Sequence, residues 1–220
     1  MTAKILPFKT SNGKTPTPVN APGQFIGNIN APILRRPSNA ELRTREYLSS
    51  AEIDSLMSAA RKIARHGHRD ATLILLGYRH GLRVSELVSL RWQQVDLQQG
   101  VLHVTRAKNG TPSTHPLRGP ELRALRRLER DYSGTYVFCS ERKGPLTPAA
   151  VRKIVKRAGE AANLGIDVHP HMLRHSCGYY LANKGADTRA IQAYLGHRSI
   201  SNTVQYTALA PDRFKDFWQD

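Results

Sequence analysis

His169-Pro-His-Met-Leu-Arg-His-Ser-Cys-Gly178 packs three imidazoles and a guanidinium into positions 169–175 of a 220-residue chain. Pro170 suits the first turn of a helix, where a missing N–H costs nothing. The spacing therefore predicts a helix over residues 171–183 with His171 and Arg174 side by side at i, i+3. Taken alone, the cluster has two plain readings. A metal site would use His169, His171 and His175, but His171 and His175 lack the Glu that lies between the two histidines of a metalloprotease helix. In the simpler alternative His175 caps or packs, and His171 and Arg174 form a solvated face. The rest of the chain has to decide.

Outward from this stretch, helical spacing begins at Tyr47. Ser50 is a candidate cap for a helix that buries Ile53, Leu56, Met57, Ala60, Ile63 and Ala64. A second, apolar helix is predicted over 70–80, stopping at Gly81, and a third over 84–94 with Val84, Leu87, Val88 and Leu90 inward. The period then shortens to two over 101–105, and Asn109-Gly110 predicts a tight hairpin turn before a return strand over 111–117. More helices are predicted over 119–132, 147–163, 187–195 and 199–207, with an extended piece at 136–139. The expected fold is mainly α with a small antiparallel β-sheet inserted after the third helix.

Residues 1–46 differ from the remainder. Six of the thirteen prolines lie between Pro7 and Pro37, and the segment has too few large apolar groups to offset its ordering entropy. It reads as a flexible basic arm carrying Lys4, Lys9, Lys14, Arg35, Arg36, Arg43 and Arg45; a tail kept for solubility fits equally well. Residues 47–220 form the folded domain, ending in a tail helix with Phe214, Phe217 and Trp218 at i, i+3, i+4. The whole chain carries 33 Lys and Arg against 17 Asp and Glu, a formal charge of +16, which favours a polyanionic partner. The apolar run at 71–76 is far shorter than the roughly 20 residues that cross a bilayer, so no membrane role is expected. Two cysteines and no charged-then-apolar leader fit a reduced, cytoplasmic protein near the nucleoid.

The polar residues acquire meaning in series. Gly81-Leu-Arg-Val-Ser-Glu86 precedes the histidine cluster, and Tyr194-Leu-Gly-His-Arg198 and then Tyr206 follow it. The order Arg83, Lys108, His171, Arg174, His197, Tyr206 resembles the active-site series of the tyrosine recombinases, also called the phage integrase family, from Tyr47 to Trp218. The stretches at 169–178 and 194–198 look like those of the short members that invert fimbrial promoter switches. The resemblance implies a tyrosine recombinase catalytic domain that cuts and rejoins double-stranded DNA at specific recombination sites as a homotetramer assembled on the DNA. It also implies that the tail helix docks on a neighbouring subunit; folding back onto its own core fits the residues equally well. Most members carry a helical DNA-binding domain ahead of the catalytic one. The arm stands in its place here, so a DNA-bending accessory protein is a plausible partner.

Elementary chemistry gives each group in the series a task. Transesterification of a phosphodiester needs a nucleophile, a clamp for the non-bridging oxygens and a proton for the leaving alkoxide. Tyr206 is the expected nucleophile, its phenolate favoured by cationic neighbours. Arg83 and Arg174 suit the clamp, because guanidinium forks match phosphate geometry and stay charged. Lys108, one residue before the Asn109-Gly110 turn, can deliver an ammonium as general acid; Arg106 is a rival donor whose proton is held too tightly. His171 and His197 can bond the phosphate or shuttle a proton, and Glu86 looks like the acid that orients the site. Two arginines supply the charge, so no metal and no other cofactor is expected. DNA contacts are expected from Arg106, Arg123, Arg127, Arg152, Lys153, Lys156 and Arg198. Tyr179 and Tyr180 read as core, and Cys177 as a small buried hydrophobe.

Two other classes compete. Residues 191–206 also resemble a helix-turn-helix with Gly196 at its turn, enough for a transcription regulator without catalysis. A metal nuclease built on His169, His171 and His175 would be inactivated by chelators.

Overall fold

The computed structural model describes residues 45–208 apart from 108, 109 and 133. Most of the basic arm, Lys108 and the tail helix lie outside the described residues. The first helix, α1 (Ser50–Ile63), opens on a capping box: the Ser49 hydroxyl accepts from the Glu52 N–H, and the Glu52 carboxylate accepts from the Ser49 N–H at 2.8 Å. The cap is thus Ser49 and not Ser50, because only Ser49 has a Glu three positions on. Arg45 pairs with Glu52, and the Glu46 carboxylate lies 3.9 Å from His175 Nε2. Those last two residues of the expected arm are tied to the domain.

Helix α2 (Gly67–Arg79) begins three residues before the predicted start and is buried through most of its length, with Leu73, Ile74 and Leu76 at zero exposure. It ends as predicted at Gly81, whose φ of +57° is a left-handed conformation natural to glycine. The predicted third helix breaks into α3 (Val84–Ser89), a 3₁₀ turn (Trp92–Gln94) and a short strand β1 (Val95–Asp96). The break has a cause elsewhere in the chain. The carbonyl of Leu90 accepts from Val137 N–H at 2.9 Å and the N–H of Trp92 donates to Thr135 at 3.1 Å, so the extended piece at 136–139 takes the bonds a helix would need.

Strands β1, β2 (Val101–Val104) and β3 (Ser113–Pro116) form an antiparallel sheet in the order β1-β2-β3, with Val104 paired to Ser113. Leu102, Val104 and His115 point inward. The Asn109-Gly110 signal does not close the ladder tightly: pairing stops at Val104 and resumes at Ser113. Arg106 is instead drawn into the interior, and the N–H of Ala107 donates to Glu86 rather than across the sheet.

Helices α4 (Gly119–Asp131), α5 (Pro148–Ala161), α6 (Pro170–Asn183), α7 (Thr188–Leu195) and α8 (Ser201–Ala208) complete the described domain. One apolar cluster gathers Leu73, Leu76, Leu87, Leu125, Phe138, Val151 and Leu173; a smaller one joins Cys177, Ala182, Ile191, Leu195 and Tyr206. Helix α6 contributes to both, so it is the beam on which α7 and α8 are mounted. Cys177 is buried as expected, whereas Tyr180 is 43% exposed, with its ring edge-on to Tyr78, and its neighbour Tyr179 packs on the smaller cluster. Among the described residues no helix is long and apolar enough to cross a membrane.

A Cβ at Gly81 would lie 2.3 Å from Leu195 Cδ2, in a backbone conformation that side chains resist. Gly81→Ala should therefore lower unfolding free energy by about 1–3 kcal/mol. A urea melt that left the midpoint in place would show that the turn relaxes freely.

Candidate active site

Glu86, on the first turn of α3, gathers the groups around it. One carboxylate oxygen accepts from Arg83 Nη1 at 2.8 Å and from Ala107 N–H at 3.0 Å; the other accepts from Arg83 N–H at 2.9 Å and Arg106 Nη1 at 3.0 Å. Burial works against its charge, but the Arg83 N–H, the Arg106 guanidinium and the Ala107 N–H outweigh burial and hold the carboxyl below its ordinary range. Arg83 keeps its side chain 23% exposed, so its remaining donors are open to a ligand.

Arg174 rises from α6 into the same region. It donates to the carbonyl of Gly81 and, at 2.8 Å, to that of Leu195, and is only 1% exposed. Burial, then the like charges of Arg83 and Arg106, bring its pKa down to about 10, so it stays cationic at neutral pH. Gly196, at φ +64°, ends α7 and turns the chain so that His197 Nδ1 meets Thr203 Oγ1 at 2.8 Å. Burial and then Arg174, Arg83 and Arg106 depress His197 to about 4, leaving a neutral imidazole.

Tyr206 sits on α8 with 1% exposure. Its hydroxyl lies 3.1 Å from His175 Nδ1, and its ring is stacked near His197 with centroids 6.2 Å apart. The ring lies against Gly178 of α6, where a Cβ would fall 2.6 Å from ring carbons; only glycine allows this approach. Burial pushes the phenol up to about 12 against the pull of Arg174. The expectation that cationic neighbours favour the phenolate is thus corrected for this conformation: desolvation outweighs them, and the hydroxyl keeps its proton.

Of the predicted series, Arg174 bonds the backbone two residues before Arg83 and two residues before His197, and the Tyr206 ring stacks near that of His197. His171 joins at the edge, its ring 4.5 Å from that of His175. Lys108 lies outside the described residues. The expectation that Arg106 meets DNA is contradicted: its side chain has no exposure and its donors face Glu86 and backbone carbonyls. Arg123 and Arg127 on α4, Arg152, Lys153 and Lys156 on α5, and Arg198 after Gly196 are all exposed. Helices α7 and α8 do follow one another across Gly196 in helix-turn-helix manner, but Tyr206 faces α6. His175 is the group the sequence reading undervalued. Its spacing from His171 drew attention to metals, while its contact with a tyrosine 31 positions later left no local trace.

The chain matches the model of the phage integrase family over residues 46–213. It is 43% identical over 182 residues to the type 1 fimbriae regulatory protein FimE of Escherichia coli (strain K12), covering 80% of this chain and 91% of that protein. The crystal structure of XerA recombinase superposes with a TM-score of 0.67 at 27% identity, covering 78% of this chain and 63% of that one. XerH site-specific recombinase, solved bound to its difH substrate, shares the fold at a TM-score of 0.66 and 24% identity, over 79% of this chain and 53% of that one.

Several imidazoles here are depressed. His115, stacked on Tyr194 and 3.1 Å from His80, falls to about 3 through burial and then His80 and Arg106; His175 falls to about 4 through burial and then His171. Between pH 6.5 and 4 the unfolded chain binds protons that these folded sites refuse, so stability increases with pH across that window and is lost on acidification. The urea midpoint should be lower at pH 5 than at pH 7.5, and His115→Gln should flatten the dependence. An equally steep pH response in His115→Gln would remove His115 from this account.

Proposed function

The chain belongs to the phage integrase family and is a tyrosine recombinase, an enzyme that breaks and rejoins DNA; we propose that Tyr206 is its nucleophile and that Arg83, Arg174, Lys108, His171 and His197 serve the phosphate it attacks. One observation carries this reading. Arg174 bonds the carbonyl of Gly81, two residues before Arg83, and the carbonyl of Leu195, two residues before His197. Groups far apart in sequence thereby share one location, with Tyr206 beside them.

In the reaction the Tyr206 oxygen forms a bond to phosphorus and the bond from phosphorus to the 5′ oxygen breaks. The phenol proton leaves through the imidazoles around it, and Lys108 gives a proton to the departing 5′ oxygen. Arg83 and Arg174 hold the two non-bridging oxygens, where negative charge builds. The 3′-phosphotyrosine link retains the bond energy, so rejoining reverses the step without fuel. Glu86 keeps Arg83 in place. Tyr206 and Arg174 are each only 1% exposed, and the phenol is protonated, so the free protein is at rest. Entry of a phosphate requires α8 to move, and α8 is held mainly by the small apolar cluster around Cys177.

The substrate is double-stranded DNA with paired recombination sites, bound by a homotetramer in the cytoplasm, with a DNA-bending protein assisting. The charge of +16 and the exposed cations on α4 and α5 support this. The likeness to FimE favours inversion of a promoter switch over integration or excision. The regulator reading leaves the linked Arg83, Arg174 and His197 without a task, and the metal nuclease reading must take His175 from Tyr206.

On a nicked suicide duplex, Tyr206→Phe should form no covalent protein–DNA adduct while its gel-shift affinity stays at the wild-type value. Arg174→Ala should slow adduct formation by about 10²–10³-fold. A Tyr206→Phe protein that still formed the adduct would remove Tyr206 from the chemistry.

A further inference from the structure

Arg106 is an enclosed cation, with a side chain at zero exposure and a Glu86 partner at 3%. Its Nη1 donates to Glu86 at 3.0 Å and points at the Gly81 carbonyl at 3.5 Å; its Nη2 donates to the carbonyl of His80 at 3.3 Å and to that of Tyr194. Glycines wall the stem on both sides. A Cβ at Gly196 would meet Arg106 Cγ at 2.6 Å, and one at Gly110 would meet Arg106 Cβ at 2.8 Å. A buried ion pair is a poor source of stability, since apolar residues of similar volume often serve as well. The fork geometry achieves something an apolar side chain cannot: it binds three segments at fixed spacing. These are the Gly81 turn leading to Arg83, the loop carrying Lys108, and the end of α7 leading to His197.

We propose that Arg106 is a positioning residue for DNA cleavage that acts chiefly on the general acid, anchoring the loop that leads to Lys108 against the Arg83 turn and the His197 turn without touching DNA. This rests on the roles given above to Arg83, Lys108 and His197. Arg106 donates directly to Glu86, which accepts from both Arg83 and the N–H of Ala107, the residue before Lys108. A methionine in its place would fill the slot and leave Glu86 with one fewer cation and the carbonyls of His80 and Tyr194 without this donor. The loop and the two turns would then be free to drift by amounts that matter to a transfer reaction, where about 1 Å of misplacement can cost about a hundredfold in rate.

The test compares wild type, Arg106→Met and Arg106→Lys on a nicked duplex that wild type converts to the covalent adduct, and on the same duplex with sulfur in place of the scissile 5′ oxygen. A thiolate leaves without a proton, so that second substrate bypasses the general acid. Arg106→Met should bind DNA with unchanged affinity and unchanged salt dependence. It should cleave the oxygen substrate about a hundredfold more slowly and the sulfur substrate with a much smaller loss, while Arg106→Lys falls between it and wild type. A salt slope reduced by about one would mark Arg106 as a phosphate contact and overturn the proposal. So would an equal loss on both substrates, the mark of general damage to the fold, or no loss on either. Should Arg106→Met fail to fold, Arg106→Lys carries the same comparison. Absence of an adduct with wild type itself would instead bring down the recombinase chemistry on which the proposal rests.

Discussion

The carbonyl of Gly81 is the point on which the site depends. It can accept there only because the glycine takes φ +57°, and it receives Arg174 from α6 with Arg106 nearby at 3.5 Å. Arg174 also holds Leu195, so the turn before Arg83, the α6 beam and the turn before His197 cannot move independently. Leu195 closes the arrangement from the apolar side, its methyl against the space where a Gly81 Cβ would be. Packing and hydrogen bonding here serve one end, to fix guanidiniums that water would otherwise leave free to swing.

Electrostatics follow from that geometry. Three guanidiniums, those of Arg83, Arg106 and Arg174, converge around the single carboxylate of Glu86. Burial first, and then this imbalance, keeps His197 neutral and lowers the pKa of Arg174. A buried excess of positive charge is costly in isolation, and the phosphodiester of the proposed reaction would supply the missing anion. The same logic accounts for the resting state of Tyr206. Desolvation raises its phenol to about 12 and its hydroxyl is hydrogen-bonded to His175, so the proposed nucleophile is held where it is least reactive.

Helix α8, like α7 before it, is fixed differently from α1 to α6. The large core joins α1 to α6 through leucines, isoleucine and valines, whereas α8 is held by a small cluster with Cys177, Ile191 and Leu195 and by a ring lying on Gly178. Smaller apolar contact means a smaller free energy for local opening. The element that carries Tyr206, the proposed nucleophile, is therefore suited to move while Arg83 and Arg174 stay in place.

By itself the sequence determined the helical architecture, the inserted sheet, the left-handed turn at Gly81 and the polar series from Arg83 to Tyr206. Each of these rests on local physics: apolar period, the helix stop at Gly81, and residue types suited to phosphate chemistry. Tertiary structure alone decided where long-range bonds compete with local ones. The helix predicted over 84–94 breaks because Leu90 and Trp92 pair with the 135–137 segment, and the strand ladder ends at the Val104–Ser113 pair, beyond which Arg106 and Ala107 turn to Glu86. It also decided that Arg106 lies inside and that His175 holds Tyr206. An exposed lysine or arginine and a buried one look alike in a sequence. Burial is a property of what the rest of the chain places around them.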